Sequence, residues 1–465
     1  MTDPDVIVLG GGAVGENAAD YAIKAGLSAV IVESELLGGE CSYWACMPSK
    51  ALLRTGHAVA ALRRLPGTTA GFDPLAVLAR RDSITHNWDD GSQVSWAESA
   101  GIRVIRGRGR LTGERTVTVD GPEPVTLTAR HAVVVCTGSR PVHPPVPGLD
   151  RVRTWSSRDA TSAKEIPPRL GVLGGGVVGC ELAQAFRRLG SEVTLIQRGP
   201  RLLAGAEPFA GERVAAALRE EGVDVRLDTG LDSVSPSGDA IELHLGDETV
   251  VVDELLVATG RAPNTADIGL ASAGLAADGP LRVDDSGLVQ GVDGGWLYAA
   301  GDVTGRAPLT HQGKYAARIV GSAIGARAAG RTVDTAPWGE HSATADHVAV
   351  PQVVFTDPEV AWVGRTEAAA RDAGLTVKVV DLPIAVGGSS VQADDYDGFA
   401  RMIVDEDRGV VVGLTFVGQD VAEMLHAATV AVAGEVPLSR LWHAVPAYPT
   451  ISEVWLRLLE AYRAG

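Results

Sequence analysis

The feature that most restricts the fold of this 465-residue chain is a glycine fingerprint that occurs twice. The first copy follows a short apolar strand, Asp5-Val-Ile-Val-Leu, and reads Gly10-Gly-Gly12-Ala-Val-Gly15. A helix of small and apolar residues is expected to about Lys24, then a second strand ending at Glu33. Gly10 permits the tight turn, Gly12 lets the backbone approach a pyrophosphate, and Gly15 lets helix and strand pack closely. The pyrophosphate would rest on the helix N-terminus, where free amides and the helix dipole favour an anion. Glu33 stands where a carboxylate accepts hydrogen bonds from ribose hydroxyls.

The second copy repeats this order: strand Arg169-Leu-Gly-Val-Leu, turn Gly174-Gly-Gly176-Val-Val-Gly179-Cys-Glu181, strand Glu192-Val-Thr-Leu-Ile. Two complete modules imply two bound dinucleotides. The second strand ends in Gln197-Arg198, with Arg201 shortly after, where NAD-binding versions place an acid. A carboxylate there would repel a 2′-phosphate, and arginines can pair with one. This favours NADPH, with NADH as the alternative.

Two cysteines lie just beyond the first module, in Gly38-Gly-Glu-Cys41-Ser-Tyr-Trp-Ala-Cys46-Met-Pro-Ser-Lys50, ahead of a helix expected over residues 51–65. A disulfide needs its Cα atoms close, which residues at this spacing achieve where a loop tightens into a helix. Free amides and the dipole at such a place favour a thiolate. With no second Cys/His cluster nearby, two thiolates cannot complete a zinc tetrahedron. Spacing alone leaves buried apolar filler as the alternative; the surrounding nucleotide modules favour a redox-active pair.

Composition narrows the partners. A net charge of −17 argues against nucleic acid or an anionic membrane surface. No apolar run reaches bilayer length, and the acidic opening Met-Thr-Asp-Pro-Asp lacks the basic region of a signal peptide. Four cysteines do not make a disulfide-stapled fold, and a reducing cytoplasm suits a reversible pair.

Between the modules, residues 73–96 read as a helix and 102–109 and 115–119 as strands. Residues 131–135 form a strand that ends in Cys136-Thr137-Gly138, with Cys136 as a small apolar residue. Residues 142–168 read as a connection. Leu255-Leu-Val-Ala-Thr259-Gly260-Arg-Ala-Pro-Asn264 echoes Thr137-Gly138. Gly301-Asp302 closes another apolar strand, and a carboxylate there can bind a polyol chain; a long helix follows to about Ala329. From about residue 351 the glycine fingerprints stop and a different α/β pattern begins, a plausible dimer surface.

Together these motifs, with Pro449-Thr450-x-x-Glu453 near the end, resemble the class I pyridine nucleotide-disulfide oxidoreductases over essentially the whole chain. The resemblance implies an α/β fold with two Rossmann-like dinucleotide-binding domains, for FAD and NAD(P), plus a C-terminal α+β dimerisation domain. The expected boundaries are 1–150 and 274–345 for the FAD domain, 151–273 for the NAD(P) domain and 346–465 for the interface domain. It implies a cytoplasmic homodimer with active sites shared between subunits, a small-molecule electron acceptor, and no nucleic acid or membrane partner. Gly10, Gly12, Gly15, Glu33, Thr137, Gly138, Gly301 and Asp302 would hold FAD, Asp302 by its ribityl chain. Gly174, Gly176, Gly179, Arg198, Arg201 and Gly260 would serve the second nucleotide. Lys50 would lie near flavin N5 and pair with Glu181. Cys46 would be the flavin-proximal thiol, and Cys41 the interchange thiol that attacks a substrate disulfide.

Two departures stand out. Disulfide-reducing members carry histidine before Pro-Thr, oriented by the following glutamate, here Glu453; this chain has Tyr448, whose reference pKa near 10 makes it a poor proton shuttle. His443 is the candidate substitute. The linker Ser42-Tyr-Trp-Ala45 puts two aromatics between the cysteines, as a narrowed entrance, a stacking wall or simple packing. The chain has no cysteine after Cys180, unlike mercuric reductases, and it retains the cysteine pair that soluble transhydrogenases usually lack. The first expectation is therefore an FAD-dependent NAD(P)H oxidoreductase acting on a small disulfide or dithiol. The alternative is a quinone reductase or transhydrogenase that uses the flavin directly.

Overall fold

The computed structural model describes residues 3–464, which divide into two compact units. The first comprises residues up to 48, 82–142 and 260–347; the second comprises 49–81, 143–259 and 348 onward. The boundary falls inside the helix Cys46–Arg63.

The first unit is built on a five-stranded parallel sheet in the order Leu297–Ala299, Ala132–Val135, Val6–Leu9, Ala29–Glu33, Arg103–Arg106. Val6–Leu9 and Ala132–Val135 are buried along their whole length, as strands covered on both faces must be. The helix Ala13–Lys24 runs beside Thr310–Ala328. Small residues allow this approach: a Cβ on Gly313 would come within 2.5 Å of Val14, and one on Gly325 within 2.4 Å of Ala25. A three-stranded antiparallel sheet, Arg108–Gly113, Thr116–Asp120 and Val125–Thr128, packs with Ile268, Leu270 and Trp296 in one core.

The second unit repeats the parallel arrangement with four strands, Asp224–Arg226, Glu192–Ile196, Arg169–Leu173 and Glu254–Val257. Its helix Val177–Leu189 is buried all round from Gly179 to Phe186, and Cys180, Leu182, Ala183, Ala185, Phe186 and Leu189 belong to the unit's main core. A five-stranded antiparallel sheet, Gln352–Val354, Glu359–Gly364, Val410–Gly418, Phe399–Asp405 and Val377–Pro383, forms the C-terminal part.

Some local expectations give way. The helix expected over 73–96 is two helices, Pro74–Ile84 and Gly91–Ser99. They are separated by His86, Asn87 and Trp88, all at positive φ. A helix cannot continue through left-handed residues. The strand expected over 102–109 splits at Gly107, φ +146°, into strands of two different sheets. The connection 142–168 contains a helix, Ser157–Ser162, and a buried Trp155. The helix expected from residue 51 begins at Cys46.

Candidate active site

In the first unit the glycine turn is shaped by contact with backbone. Gly10 has φ +97°, and a Cβ there would stand 2.4 Å from the carbonyl oxygen of Cys136. A Cβ on Gly15 would stand 1.9 Å from the carbonyl oxygen of Gly10, so only glycine lets helix and turn meet. Gly12 caps the helix Ala13–Lys24 without a side-chain hydrogen bond, and the space beside it is open, with no atom nearer to a Cβ than 3.9 Å. The first amides of this helix therefore face a cradle into which an anion fits. Glu33 is buried at the rim: its Oε2 accepts from the Gly11 amide at 2.6 Å and its Oε1 from the Glu35 amide at 2.7 Å.

Further residues close this cradle. Asp302 follows Gly301, φ +81°, and its Oδ2 accepts from the Ser139 hydroxyl at 2.5 Å. Arg261 donates to both Ser139 Oγ and Ser139 O at 2.7 Å, so it props the residue that props Asp302. Thr137 and Asn264 are tied reciprocally: Thr137 Oγ1 donates to Asn264 O at 2.7 Å, and Asn264 Nδ2 donates to Thr137 O at 3.0 Å. Gly138 and Gly260 both have positive φ and open space where a Cβ would lie.

The two cysteines belong to the same unit. Cys41 lies in the short helix Gly39–Tyr43 and Cys46 opens Cys46–Arg63; both are half-buried free thiols. They are hydrogen-bonded neighbours, and Cys46 Sγ lies 3.3 Å from the hydroxyl of Thr310, the first residue of Thr310–Ala328. Hydrogen bonding to Cys46, then burial, pushes Cys41 above the ordinary thiol range, against the opposing pull of Thr310 and Lys314. Cys41 therefore keeps its proton more firmly than an isolated thiol does. Cys136 is buried and burial pushes it up to about 12, which fits apolar packing.

The aromatic linker divides in two. Tyr43 is buried, its carbonyl accepts from the Trp88 indole at 3.1 Å, and its ring meets Trp44 edge-on at 5.8 Å. This is packing, so Tyr43 offers no wall to a ligand; Trp44 stays partly open.

In the second unit the glycine turn has the same build. Gly174 has φ +112° and would place a Cβ 2.5 Å from Ala258 O, and a Cβ on Gly179 would lie 1.9 Å from Gly174 O. Gly176 caps Val177–Leu189 with no side-chain bond and nothing within 4 Å of a Cβ, so this cradle too is open for a phosphate. Gln197 Oε1 accepts from the Gly175 amide at 2.9 Å, the contact that Glu33 makes in the first unit. Arg198 is exposed with no partner among the described residues, and Arg201 donates to Ala204 O at 3.3 Å.

Lys50 Nζ lies 2.7 Å from Glu181 Oε2, and the Glu181 side chain is only 3% exposed. Glu181 Oε1 accepts from the Phe355 amide at 2.9 Å, and Lys50 stands over the Phe355 ring at 4.9 Å. A buried carboxylate is thus satisfied on both oxygens, the condition for keeping a charge out of water. Gln184 and Arg188, one and two turns on, hold Asp357: the Gln184 amide exchanges hydrogen bonds with its backbone at 2.8 and 2.9 Å, and Arg188 meets its carboxylate at 2.9 Å.

Tyr448 is 78% exposed, with its ring against Gly387, where a Cβ would come within 2.8 Å of it. Glu453 accepts from the Gly387 amide at 3.3 Å and from Arg457 at 2.5 Å. His443 is exposed, and its side chain has no partner among the described residues. In this chain Glu453 therefore ties the Gly387 backbone to Arg457 and does not orient an imidazole. Among the described residues no group of three or more His, Cys, Asp or Glu could hold a metal ion, and no helix is long and apolar enough to cross a membrane.

Sequence reasoning missed Ser139, Thr310 and Phe355, and the acceptor role of Gln197. Only Gln197 had a local signal: it stands to Gly175 as Glu33 stands to Gly11.

Comparison with known proteins gives a consistent result. Residues 4–330 match the pyridine nucleotide-disulphide oxidoreductase family, and residues 350–459 match its dimerisation domain. A dihydrolipoyl dehydrogenase of Chlamydia muridarum is 32% identical over 464 residues, covering 97% of this chain and 95% of its own. A mercuric reductase of Acidithiobacillus ferrooxidans is 32% identical over 469 residues, covering 96% of this chain and 80% of its own. Among solved structures, the HOCl-induced flavoprotein disulfide reductase RclA of Escherichia coli, as a copper(II) complex, superposes with a TM-score of 0.85 at 27% identity, covering 99% of each chain.

Proposed function

The chain belongs to the pyridine nucleotide-disulphide oxidoreductase family, and from that premise we propose that it oxidises NADPH and uses Cys41 and Cys46 to reduce a small disulfide. The family binds FAD, uses pyridine nucleotides and forms homodimers through its second domain. The observation that carries the proposal is the thiol pair itself: two neighbouring free thiols, with the Thr310 hydroxyl 3.3 Å from Cys46, in the unit that carries the first glycine cradle.

The first cradle suits FAD: pyrophosphate on the amides after Gly12, ribose on Glu33, ribityl chain on the free face of Asp302. FAD, when bound, supplies the exchange between a nicotinamide hydride and the electron pair that opens the cysteine disulfide. The second cradle suits NADPH, because Gln197 adds no negative charge and Arg198 is free to pair with a 2′-phosphate. Lys50 and Glu181 serve as the ion pair of the hydride exchange. The domain limits follow the reading above, with 1–150 and 274–345 around FAD, 151–273 around NADPH and 346–465 as the dimer surface.

In the reduced pair Cys41 is the thiol that attacks. Its proton passes through solvent to the leaving sulfur, its own sulfur forms a mixed disulfide with one substrate sulfur as the substrate sulfur–sulfur bond breaks, and the other sulfur departs as a thiol. Cys46 then attacks Cys41 sulfur, closes the disulfide and releases the second thiolate. Thr310 donates to Cys46 while it carries charge. Tyr448, placed by the partner subunit, can donate a hydrogen bond to a departing thiolate; its phenol does not shuttle protons near neutral pH.

Tyr448 in place of histidine, and a Glu453 already engaged with Gly387 and Arg457, favour one other reading: quinone reduction or transhydrogenation without the thiols. Cys46→Ser separates the two. The proposal expects disulfide reduction to fall by about 1,000-fold or more, in line with the removal of a covalent catalyst. Disulfide reduction that persists in Cys46→Ser, at a rate equal to quinone reduction, would contradict it.

A further inference from the structure

Two helices meet within the second unit along matched polar stripes. On Cys46–Arg63, Lys50 and His57 lie seven residues apart on one face, and Arg64 follows at the same interval just past the last turn. On Val177–Leu189, Glu181, Gln184 and Arg188 also share a face. The stripes meet rung by rung. Lys50 pairs with Glu181 at 2.7 Å, and His57 is hydrogen-bonded to Gln184. Arg188 crosses over Gly56, where a Cβ would come within 2.8 Å of its Cδ. Arg64 and Arg188 then close on one carboxylate, that of Asp357, at 2.8 and 2.9 Å.

Asp357 belongs to the part of the chain that matches the dimerisation domain, in the link between the strands Gln352–Val354 and Glu359–Gly364. That link is gripped along its length. Glu181 accepts from the Phe355 amide at 2.9 Å, and Gln184 brackets the Asp357 backbone at 2.8 and 2.9 Å. Asp357 itself is buried; burial opposes its charge, yet Arg64 and Arg188 outweigh burial and hold the carboxyl below its ordinary range. Glu221 accepts from Arg188 at 2.6 and 2.8 Å, so two arginines face two carboxylates. Burial, then the charge of Arg188, pushes His57 down to about 4, which leaves it neutral in the seam. The cluster is therefore balanced in charge. Seven residues separate Arg188 from Glu181, about 10 Å along the axis. At that distance the cluster acts on the Lys50–Glu181 pair only through the two helices.

We propose that Asp357 is a positioning residue for flavin reduction: by bridging Arg64 and Arg188 it fixes the two helices so that Lys50 stays on Glu181. The dimerisation domain thereby braces the ion pair from within its own subunit. This rests on the reading of Lys50 and Glu181 as the ion pair of the hydride exchange. Without the Asp357 charge, the two guanidinium groups that share it repel across a buried seam, and the helices that carry Lys50 and Glu181 part. A purely structural clasp would stabilise the domain and leave the pair as it is.

The test reads the ion pair itself. Oxidised holoenzyme is pulse-labelled with acetic anhydride, and acetylation of Lys50 is measured by peptide mass spectrometry. The reference is Lys378, whose Nζ donates to Tyr462 O at 2.8 Å and which reports any general loosening of the C-terminal region. An ammonium that loses its carboxylate gives up its proton more readily and reacts faster. Asp357→Asn is expected to raise the ratio of Lys50 to Lys378 labelling about 5-fold and to slow flavin reduction by NADPH about 10-fold in stopped flow. Arg64→Gln, at a partly exposed residue, should raise the ratio about 2-fold and carries the test where Asp357→Asn does not fold. Glu181→Gln sets the upper limit, and adding Asp357→Asn to it should change the ratio no further, since both act on one pair. An unchanged ratio in Asp357→Asn, or in Arg64→Gln where the first does not fold, overturns the proposal. So does an equal further rise in the Glu181→Gln background, which would make Asp357 independent of the pair. A ratio that rises while flavin reduction by NADPH keeps its rate leaves the positioning role standing and counts against the reading of the pair in hydride exchange.

Discussion

In the first cradle the amide of Gly11 is held by the carboxylate of Glu33 at 2.6 Å; in the second the amide of Gly175 is held by the carboxamide of Gln197 at 2.9 Å. The backbone is otherwise repeated closely, with Gly15 and Gly179 each placing a would-be Cβ 1.9 Å from the carbonyl of the first glycine. The residue after that glycine differs again: Glu16, a buried carboxyl, against Cys180, a buried thiol whose sulfur donates to Gly175 O at 3.5 Å. The comparison separates two layers of information. Glycines set the shape of the cradle, and the residues at its rim set the charge that a nucleotide meets there. A neutral acceptor keeps the turn closed without repelling a 2′-phosphate, whereas a carboxylate keeps it closed and favours free ribose hydroxyls.

The largest expected effect comes from breaking the shared layer. Gly15→Ala and Gly179→Ala meet the same clash, so each should cost about 3 kcal/mol of stability by chemical denaturation. They should part in what is lost: Gly15→Ala purifies without bound FAD, and Gly179→Ala keeps FAD but binds NADPH about 100-fold more weakly by fluorescence titration.

Next is the pH response of the first cradle in the cofactor-free protein. The Glu16 carboxyl titrates at about 7 when folded against a reference of 4.5. The folded chain therefore holds an extra proton between those values. The contribution of this group is fully present below about 4.5 and is lost as pH rises through 7, a slope worth about 2 kcal/mol. Glu16→Gln should flatten that slope in urea melts at pH 5 and pH 8. Cys180→Ala should not alter it, since burial pushes that thiol further above the range.

A smaller effect follows from exchanging the rims. Gln197→Glu should lower kcat/KM for NADPH about 10-fold while leaving NADH within about 2-fold, and Arg198→Ala should act in the same direction. Smaller still, Glu33→Gln retains an acceptor for the Gly11 amide, so the fold should survive while FAD affinity falls about 5-fold by equilibrium dialysis. A Glu33→Gln protein that unfolds would show the carboxylate to be structural and would blur the distinction between the cradles.

Much of this fold was legible because its strongest signals are local. The strand–glycine–helix order, its repetition, and the family motifs from Cys41 to Glu453 are spacings of a few residues, imposed by backbone geometry. What stayed hidden depends on residues far apart in the chain. His86 to Trp88 read as helix by composition, yet the Trp88 indole is anchored on the Tyr43 carbonyl and the backbone there is left-handed. Asp302 was identifiable from the strand end, but Ser139 and Arg261 behind it were not, because only folding brings them together. Gln197 read as the loss of an acid, and the structure shows that the acid's hydrogen bond is kept. Thr310 had no signal at all: a hydroxyl at a helix start is common, and its distance from Cys46 is purely tertiary.

The central claim is that electrons from NADPH reach Cys41 and Cys46. The most direct measurement is an anaerobic titration of the purified protein with dithionite and then NADPH, following the visible spectrum and counting electrons. The account predicts uptake of four electrons per subunit, with a long-wavelength charge-transfer band at the two-electron stage that is absent in Cys46→Ser. Uptake of two electrons, passing straight to reduced flavin with no such band, would contradict it and assign the chemistry to the flavin alone.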